Sequence, residues 1–113
     1  MRIRRAGGYV SFDGVWRVNG ILAMSRALGN FLLKEKDVIV ATPDTTVFNL
    51  RILNAEFIIL ATDGLWDVFT NEEAVAFIRT KLHEPYFGAR SLVVEAFNRG
   101  SLDNITVLVV TFF

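Results

Sequence analysis

The sequence has no cysteine, a single histidine (His83) and two prolines among its 113 residues. Without cysteine there are no disulfides, no thiolate metal sites and no cysteine nucleophile. With one histidine and no cysteine, the Ser-His and Cys-His nucleophile arrangements have little to work with. Charge of either sign is also missing in excess: twelve Lys and Arg balance twelve Asp and Glu, so net charge gives no argument for nucleic acid as a partner. The only basic cluster is Arg2, Arg4 and Arg5. No apolar run approaches the roughly 20 residues a membrane helix needs, and the start lacks the apolar core of a secretory signal. The cysteine-free, signal-free chain points to a cytoplasmic location, with any upstream targeting segment or membrane anchor lying beyond this sequence. In that setting Asn104-Ile105-Thr106 reads as a chance match to the glycosylation triplet.

What is present is apolar. Hydrophobic residues make up 52% of the chain, ten of them phenylalanine, which marks a folded chain. One small domain of this length buries roughly two thirds of its unfolded surface.

The stretch Phe57-Ile58-Ile59-Leu60-Ala61-Thr62-Asp63-Gly64-Leu65-Trp66-Asp67 organises the rest. Phe57 to Ala61 has no polar face and is short, which predicts a strand buried on both sides. Asp63 then stands where the chain leaves the core, and Gly64 is expected to let the backbone turn sharply. The plainer reading is a strand ending in an Asp-Gly turn.

Upstream, Tyr9 to Phe12 and Val15 to Val18 read as strands joined by Asp13-Gly14. Asn19-Gly20 leads to a third, Ile21 to Ser25. Arg26 to Asn30 is a polar loop. Asp37 to Ala41 is expected as a strand broken by Thr42-Pro43-Asp44, and Thr45 to Leu50 as β-rich. Downstream the period changes. Thr70-Asn71-Glu72-Glu73 has the form of a capping box before a helical stripe of Ala74, Val75, Phe77, Ile78 and Leu82, with Pro85 just past the end. A second helix is expected from about Ala89, with Gly100 as its C′ residue, and Ile105 to Phe113 as a closing strand. Six or so strands, two helices and a final strand predict an α+β fold with largely antiparallel sheets.

Three carboxylates lie where apolar strands meet loops: Asp63, Asp67 and Asp103. If the final strand pairs antiparallel with Phe57 to Ala61, Asp63 and Asp103 meet at one end of the sheet. Converging carboxylates without His or Cys suit a hard ion such as Mg²⁺ or Mn²⁺, which catalyses phosphoryl chemistry by activating water and neutralising charge. The competing reading of Asp103-Asn104 is a turn that caps a strand. Ser25-Arg26 could contact a phosphate, although an isolated arginine is more often solvated or ion-paired. His83 has the position of a helix-terminal surface residue, and Trp66 that of a core aromatic. A different two-metal hydrolase would need further ligands, and Asp37, Asp44 and the helix glutamates have capping or solvated roles instead.

Three stretches together resemble one family: Asn19 to Gly29, Ala61 to Asp67, and Gly100 to Val107. In the same order they are similar to the C-terminal motifs of the PPM family, the metal-dependent type 2C protein serine/threonine phosphatases. Glu84-Pro85-Tyr86-Phe87-Gly88-Ala89 is similar to the protein phosphatase 1-like subgroup. The resemblance implies part of a four-layer α-β-β-α sandwich, with two Mg²⁺ or Mn²⁺ ions in a cleft of the complete domain. It implies Asp63 and Asp103 as metal ligands and Asp67 as a ligand of a weaker third site. It also implies metal-activated water as nucleophile and phosphoproteins as substrates, with no residue identified for substrate binding. Asn30 departs from the Asp common after the Ser-Arg-Ala-x-Gly run. The family's Asp-Gly-His-Gly motif, which supplies a bridging ligand, is absent, as is the half of the domain that carries it and the phosphate-binding arginine. Residues 1–113 are therefore expected to be the C-terminal portion of a single phosphatase domain, with the N-terminal half as its missing partner. Met1 would then be an internal methionine, a fragment boundary or the start of a truncated gene. The alternative is a catalytically inactive binding or regulatory fragment of that fold.

Overall fold

The structure is a computed structural model that describes residues 2–112. The chain divides into two compact units, one up to Val47 and one from Phe48 onward. Both of its two-stranded sheets are antiparallel, as the α+β expectation requires. Among the described residues no helix is long and apolar enough to cross a membrane.

The first unit contains α1 (Arg2–Arg5), β1 (Val10–Asp13), β2 (Val15–Val18) and α2 (Phe31–Lys34). β1 and β2 form the expected hairpin, with Asp13 opposite Val15 across Gly14. Gly14 takes φ +71, with open space around it. Asn19 and Gly20 also take positive φ, 51° and 70°, the geometry of the tight hairpin turn that Asn-Gly favours. The third strand does not form. Its place holds a single bridge between Val18 and Leu22.

The strand expected over Asp37 to Ala41 is also absent. The amides of Asp37, Val38 and Ile39 bond back to carbonyls of Lys34 and Leu33, so the chain curls against the end of α2. Val38 and Ile39 are each only 1% exposed and, with Val18 and Leu33, form this unit's core. Their apolar run is a core plug rather than a strand. Residues 41–49 are exposed and irregular, which corrects the β-rich expectation for Thr45 to Leu50. Asn49 caps a short helix instead, its side chain accepting from the amides of Arg51 and Ile52.

The second unit runs α3 (Leu50–Leu53), β3 (Phe57–Ala61), α4 (Asp63–Trp66), α5 (Asn71–Lys81), a 3₁₀ turn (Pro85–Gly88), α6 (Ala89–Asn98) and β4 (Val107–Thr111). β3 and β4 pair antiparallel from Phe57 opposite Thr111 to Ala61 opposite Val107; Phe113, at the end of the expected strand, lies outside the described residues. α5 starts at the expected capping box. Thr70 Oγ1 accepts from the Glu73 amide at 3.2 Å, and Glu73 Oε2 accepts from the Thr70 amide at 2.9 Å. α6 ends at Gly100 (φ 89°): the Gly100 amide bonds Phe97 O and the Ser101 amide bonds Ala96 O, satisfying two terminal carbonyls at once.

One face of the β3–β4 ribbon packs on these helices. Leu65, Phe69, Ala74, Ile78, Leu92, Ala96 and Val109 are the buried centre, and Phe57, Ile59 and Val107 lie against it. The other face is open, contrary to the expectation of burial on both sides: Ile58 is 43% and Leu60 50% exposed, with Leu108 and Val110 beside them in the register. Alternation sends every second side chain away from the helices.

Candidate metal centre at the end of the β3–β4 ribbon

Asp63 is the first residue of α4, two positions after β3 ends, and Asp103 lies four positions before β4 begins. Because the strands are antiparallel, the exit of one and the entry of the other occur at the same end of the ribbon. The pairing on which the convergence of Asp63 and Asp103 depended is therefore present.

The two loops are fastened to one another by backbone and hydroxyl contacts. Thr62 is the hub. Its amide donates to Thr106 O at 3.1 Å, its hydroxyl donates to Asn104 O at 3.1 Å, and the same oxygen accepts from the Thr106 amide at 3.0 Å. Buried Ser101 donates from its hydroxyl to Gly64 O at 2.6 Å. Gly64 does not adopt the left-handed backbone that its expected turn role would need. It lies inside α4, where a Cβ would stand 2.4 Å from Asn104 O. The glycine is there for close approach of two backbones. Trp66 is half-buried and donates from its indole to Ala61 O at 3.1 Å, pinning α4 to the end of β3.

On this fixed base the three aspartates are exposed, and none takes part in an ion pair among the described residues. Asp63 and Asp67 are four apart, and the Asp67 amide bonds Asp63 O at 2.8 Å, so a helical turn sets both carboxylates on one side. Asp103 Oδ1 accepts from the Asn104 amide at 2.7 Å, which orients that carboxylate and leaves its other oxygen available. The donors are all hard oxygens, the chemistry that Mg²⁺ and Mn²⁺ select. Among the described residues no group of three His, Cys, Asp or Glu is gathered closely enough to hold a metal ion unaided. Two or three carboxylates fall short of the six oxygens that Mg²⁺ takes.

Other residues singled out in the sequence have structural roles. Arg26 donates to Thr42 O and forms an exposed ion pair with Asp44 at 2.8 Å, the plain alternative to a phosphate contact. His83 is exposed just past α5. Sequence reasoning missed Thr62 and Ser101 as the fasteners of the site. Behind it, Arg99 stacks 3.7 Å from the Phe69 ring centre and bonds Glu95, Glu73 and Val68 O, tying α6 to α5 and to the chain after α4. Glu73 is held below the usual carboxylate range, chiefly by the Thr70 amide and then by Arg99.

Comparison with known proteins places this arrangement among relatives. Residues 1–105 match the family model described as Protein phosphatase 2C. Protein phosphatase 1L of Bos taurus is 60% identical over 111 residues, covering 98% of this chain and 31% of the relative. Probable protein phosphatase 2C 59 of Arabidopsis thaliana is 51% identical over 112 residues, covering 99% and 35%. The chain therefore spans about a third of the length of these curated relatives. A phosphatase from a pathogenic strain of Toxoplasma gondii superposes with a TM-score of 0.81 at 26% identity, over 98% of this chain and 37% of that one. A sex-determining protein of C. elegans gives 0.75 at 26% identity, over 96% and 27%.

Proposed function

Since this chain belongs to the protein phosphatase 2C family, a family of protein serine/threonine phosphatases, we propose that it carries part of a metal-dependent phosphatase site. The observation that supports the reading is the placement of Asp63 and Asp103 at one end of β3–β4, on loops fastened through Thr62, Gly64 and Ser101. In this proposal Asp63 and Asp103 hold a Mg²⁺ or Mn²⁺ ion, and Asp67 serves a weaker position on the same side. The chemistry such an ion supplies is activation of water and neutralisation of charge on a phosphoryl group. The protein's own share is rigidity. Thr62 and Ser101 fix the two loops, so the carboxylates are held in place before the ion arrives. Substrates are phosphoserine and phosphothreonine side chains of proteins.

Residues 1–113 form the C-terminal portion of one phosphatase domain in this reading. Mg²⁺ takes six oxygens in near-octahedral geometry, and this end of the ribbon offers two or three carboxylates. The remaining ligands belong to the part of the domain with the Asp-Gly-His-Gly motif. The second reading, a binding or regulatory piece without turnover, draws on the lack of a three-ligand cluster among the described residues.

The test has two measurements. Mn²⁺ titrated into ¹⁵N-labelled chain is expected to broaden amides of residues 62–67 and 101–106 first, weakly, and not in Asp63→Ala or Asp103→Ala. Broadening centred elsewhere refutes the site. Hydrolysis of a phosphothreonine peptide with Mn²⁺ is expected to be absent for the 113-residue chain and present in a longer protein that restores the motif. Absence in the longer protein as well favours the binding reading. Turnover by this chain, lost in Asp63→Ala, overturns the claim that the site is incomplete.

A further inference from the structure

The turn after Asp67 is gripped by side chains from α5 and the end of α6. Val68 O accepts from Arg99 Nη1 at 3.3 Å, and the guanidinium carbon lies 3.7 Å from the centre of the Phe69 ring. Thr70 comes next. Its amide donates to Glu73 Oε2 at 2.9 Å, while Glu73 Oε1 accepts from Arg99 Nη1 at 3.2 Å. Three successive residues, Val68, Phe69 and Thr70, are therefore held by one guanidinium and the carboxylate paired with it.

Arg99 is itself anchored. It caps α6, its amide bonding Glu95 O at 2.9 Å, and its Nε donates to Glu95 Oε1 at 3.2 Å. Two residues on, Ser101 holds Gly64 O. The short stretch from Arg99 to Ser101 thus meets α4 near its start, at Gly64, and just past its end, at Val68. Asp67 stands between these two points, one residue before the carbonyl that Arg99 holds. A planar fork serves several acceptors while stacking on a ring, which a lysine ammonium cannot do. A plain tie between helices would need only Glu95 and Glu73. The bond to Val68 O and the stack on Phe69 act instead on the turn that follows Asp67.

We propose that Arg99 is a positioning residue for Asp67. It acts through the backbone after Asp67, and with Ser101 it holds α4 at both ends from the stretch that leads on to Asp103. The placement of Asp67 and the placement of Asp103 then share one origin, the end of α6. What Asp67 does once placed rests on the phosphatase reading above; its placement does not.

The test is native-state hydrogen exchange of the ¹⁵N-labelled chain with no metal present. The amides of Asp67, Val68 and Phe69 bond to Asp63 O and Leu65 O and report on the turn. Those of Ile78 and Leu92, buried within α5 and α6, report on the helices. Arg99→Met keeps an apolar stem and removes the fork. It is expected to speed exchange at residues 67–69 about tenfold more than at Ile78 and Leu92. Arg99→Lys keeps the cation alone; its excess is expected at about threefold, and it decides the matter if Arg99→Met fails to fold. Equal acceleration at both sets of amides, or none at residues 67–69, makes Arg99 a tie between helices and overturns the proposal. Mn²⁺ is added last. In Arg99→Met the broadening of Asp67 relative to Asn104 is expected to fall below the ratio in the parent chain, and an unchanged ratio counts against the proposal. A parent chain that shows no broadening refutes the metal reading alone, because the exchange comparison has already decided the placement.

Discussion

Replacing Gly64 by alanine tests whether the carboxylate loops are fastened as described. The added Cβ would lie 2.4 Å from Asn104 O and 3.0 Å from its carbonyl carbon. An ordinary carbon–oxygen contact is about 3.3 Å, so one backbone must retreat by nearly 1 Å. That oxygen accepts from Thr62 Oγ1, and Gly64 O accepts from buried Ser101, so the retreat stretches bonds on both loops. Overpacking costs about 1–3 kcal/mol, and a strained or lost hydrogen bond about 1 kcal/mol. The expected destabilisation is about 3 kcal/mol, against a typical total stability of about 5–15 kcal/mol. Urea unfolding followed by Trp66 fluorescence in a Trp16→Phe background reports on the second unit. With m near 1–2 kcal/mol/M, the midpoint falls by roughly 1.5–3 M. Gly29→Ala is the control, since a Cβ there meets nothing within 4 Å. A Gly64→Ala midpoint equal to that control refutes the close-approach argument and the rigidity ascribed to the site.

Thr70→Ala removes the acceptor for the Glu73 amide and is expected to cost about 1 kcal/mol in the same unfolding assay. Glu73 has a depressed folded-state pKa. Its stabilisation is therefore complete above its ordinary value of 4.5 and is lost as pH falls through the folded value. Glu73→Gln should lower the melting temperature at neutral pH, with a deficit that shrinks under acid titration; a deficit independent of pH contradicts the assignment. Asp63→Asn relieves a like-charge pair with Asp67 four residues on, so thermal stability should stay within about 0.5 kcal/mol while Mn²⁺ broadening disappears. Leu108→Lys, at a position 55% exposed on the open ribbon face, should leave the helical circular dichroism unchanged and, in sedimentation, be no more associated than the parent chain.

The parts of the fold legible in the sequence are those whose hydrogen bonds close within a few residues. Thr70 and Glu73 satisfy each other three positions apart, and Gly100 and Ser101 close α6 on Phe97 and Ala96; each was readable from residue types alone. Strand assignments held only where a partner existed. β3 has β4, but Asp37 to Ala41 has no neighbouring strand, and Val38 and Ile39 were absorbed into a core instead. β-propensity measures fit to a surface that other segments must supply. The contacts that fasten the candidate site span 37 and 42 residues, so no local pattern announced Thr62 or Ser101. The two Asp-Gly pairs make the limit concrete. At Gly14 the glycine answers to its own backbone, with φ +71 and empty space around the missing Cβ. At Gly64 the backbone is ordinary helix, and the glycine answers to Asn104. One dipeptide has two physical causes, and only the presence of the distant partner distinguishes a turn from a joint.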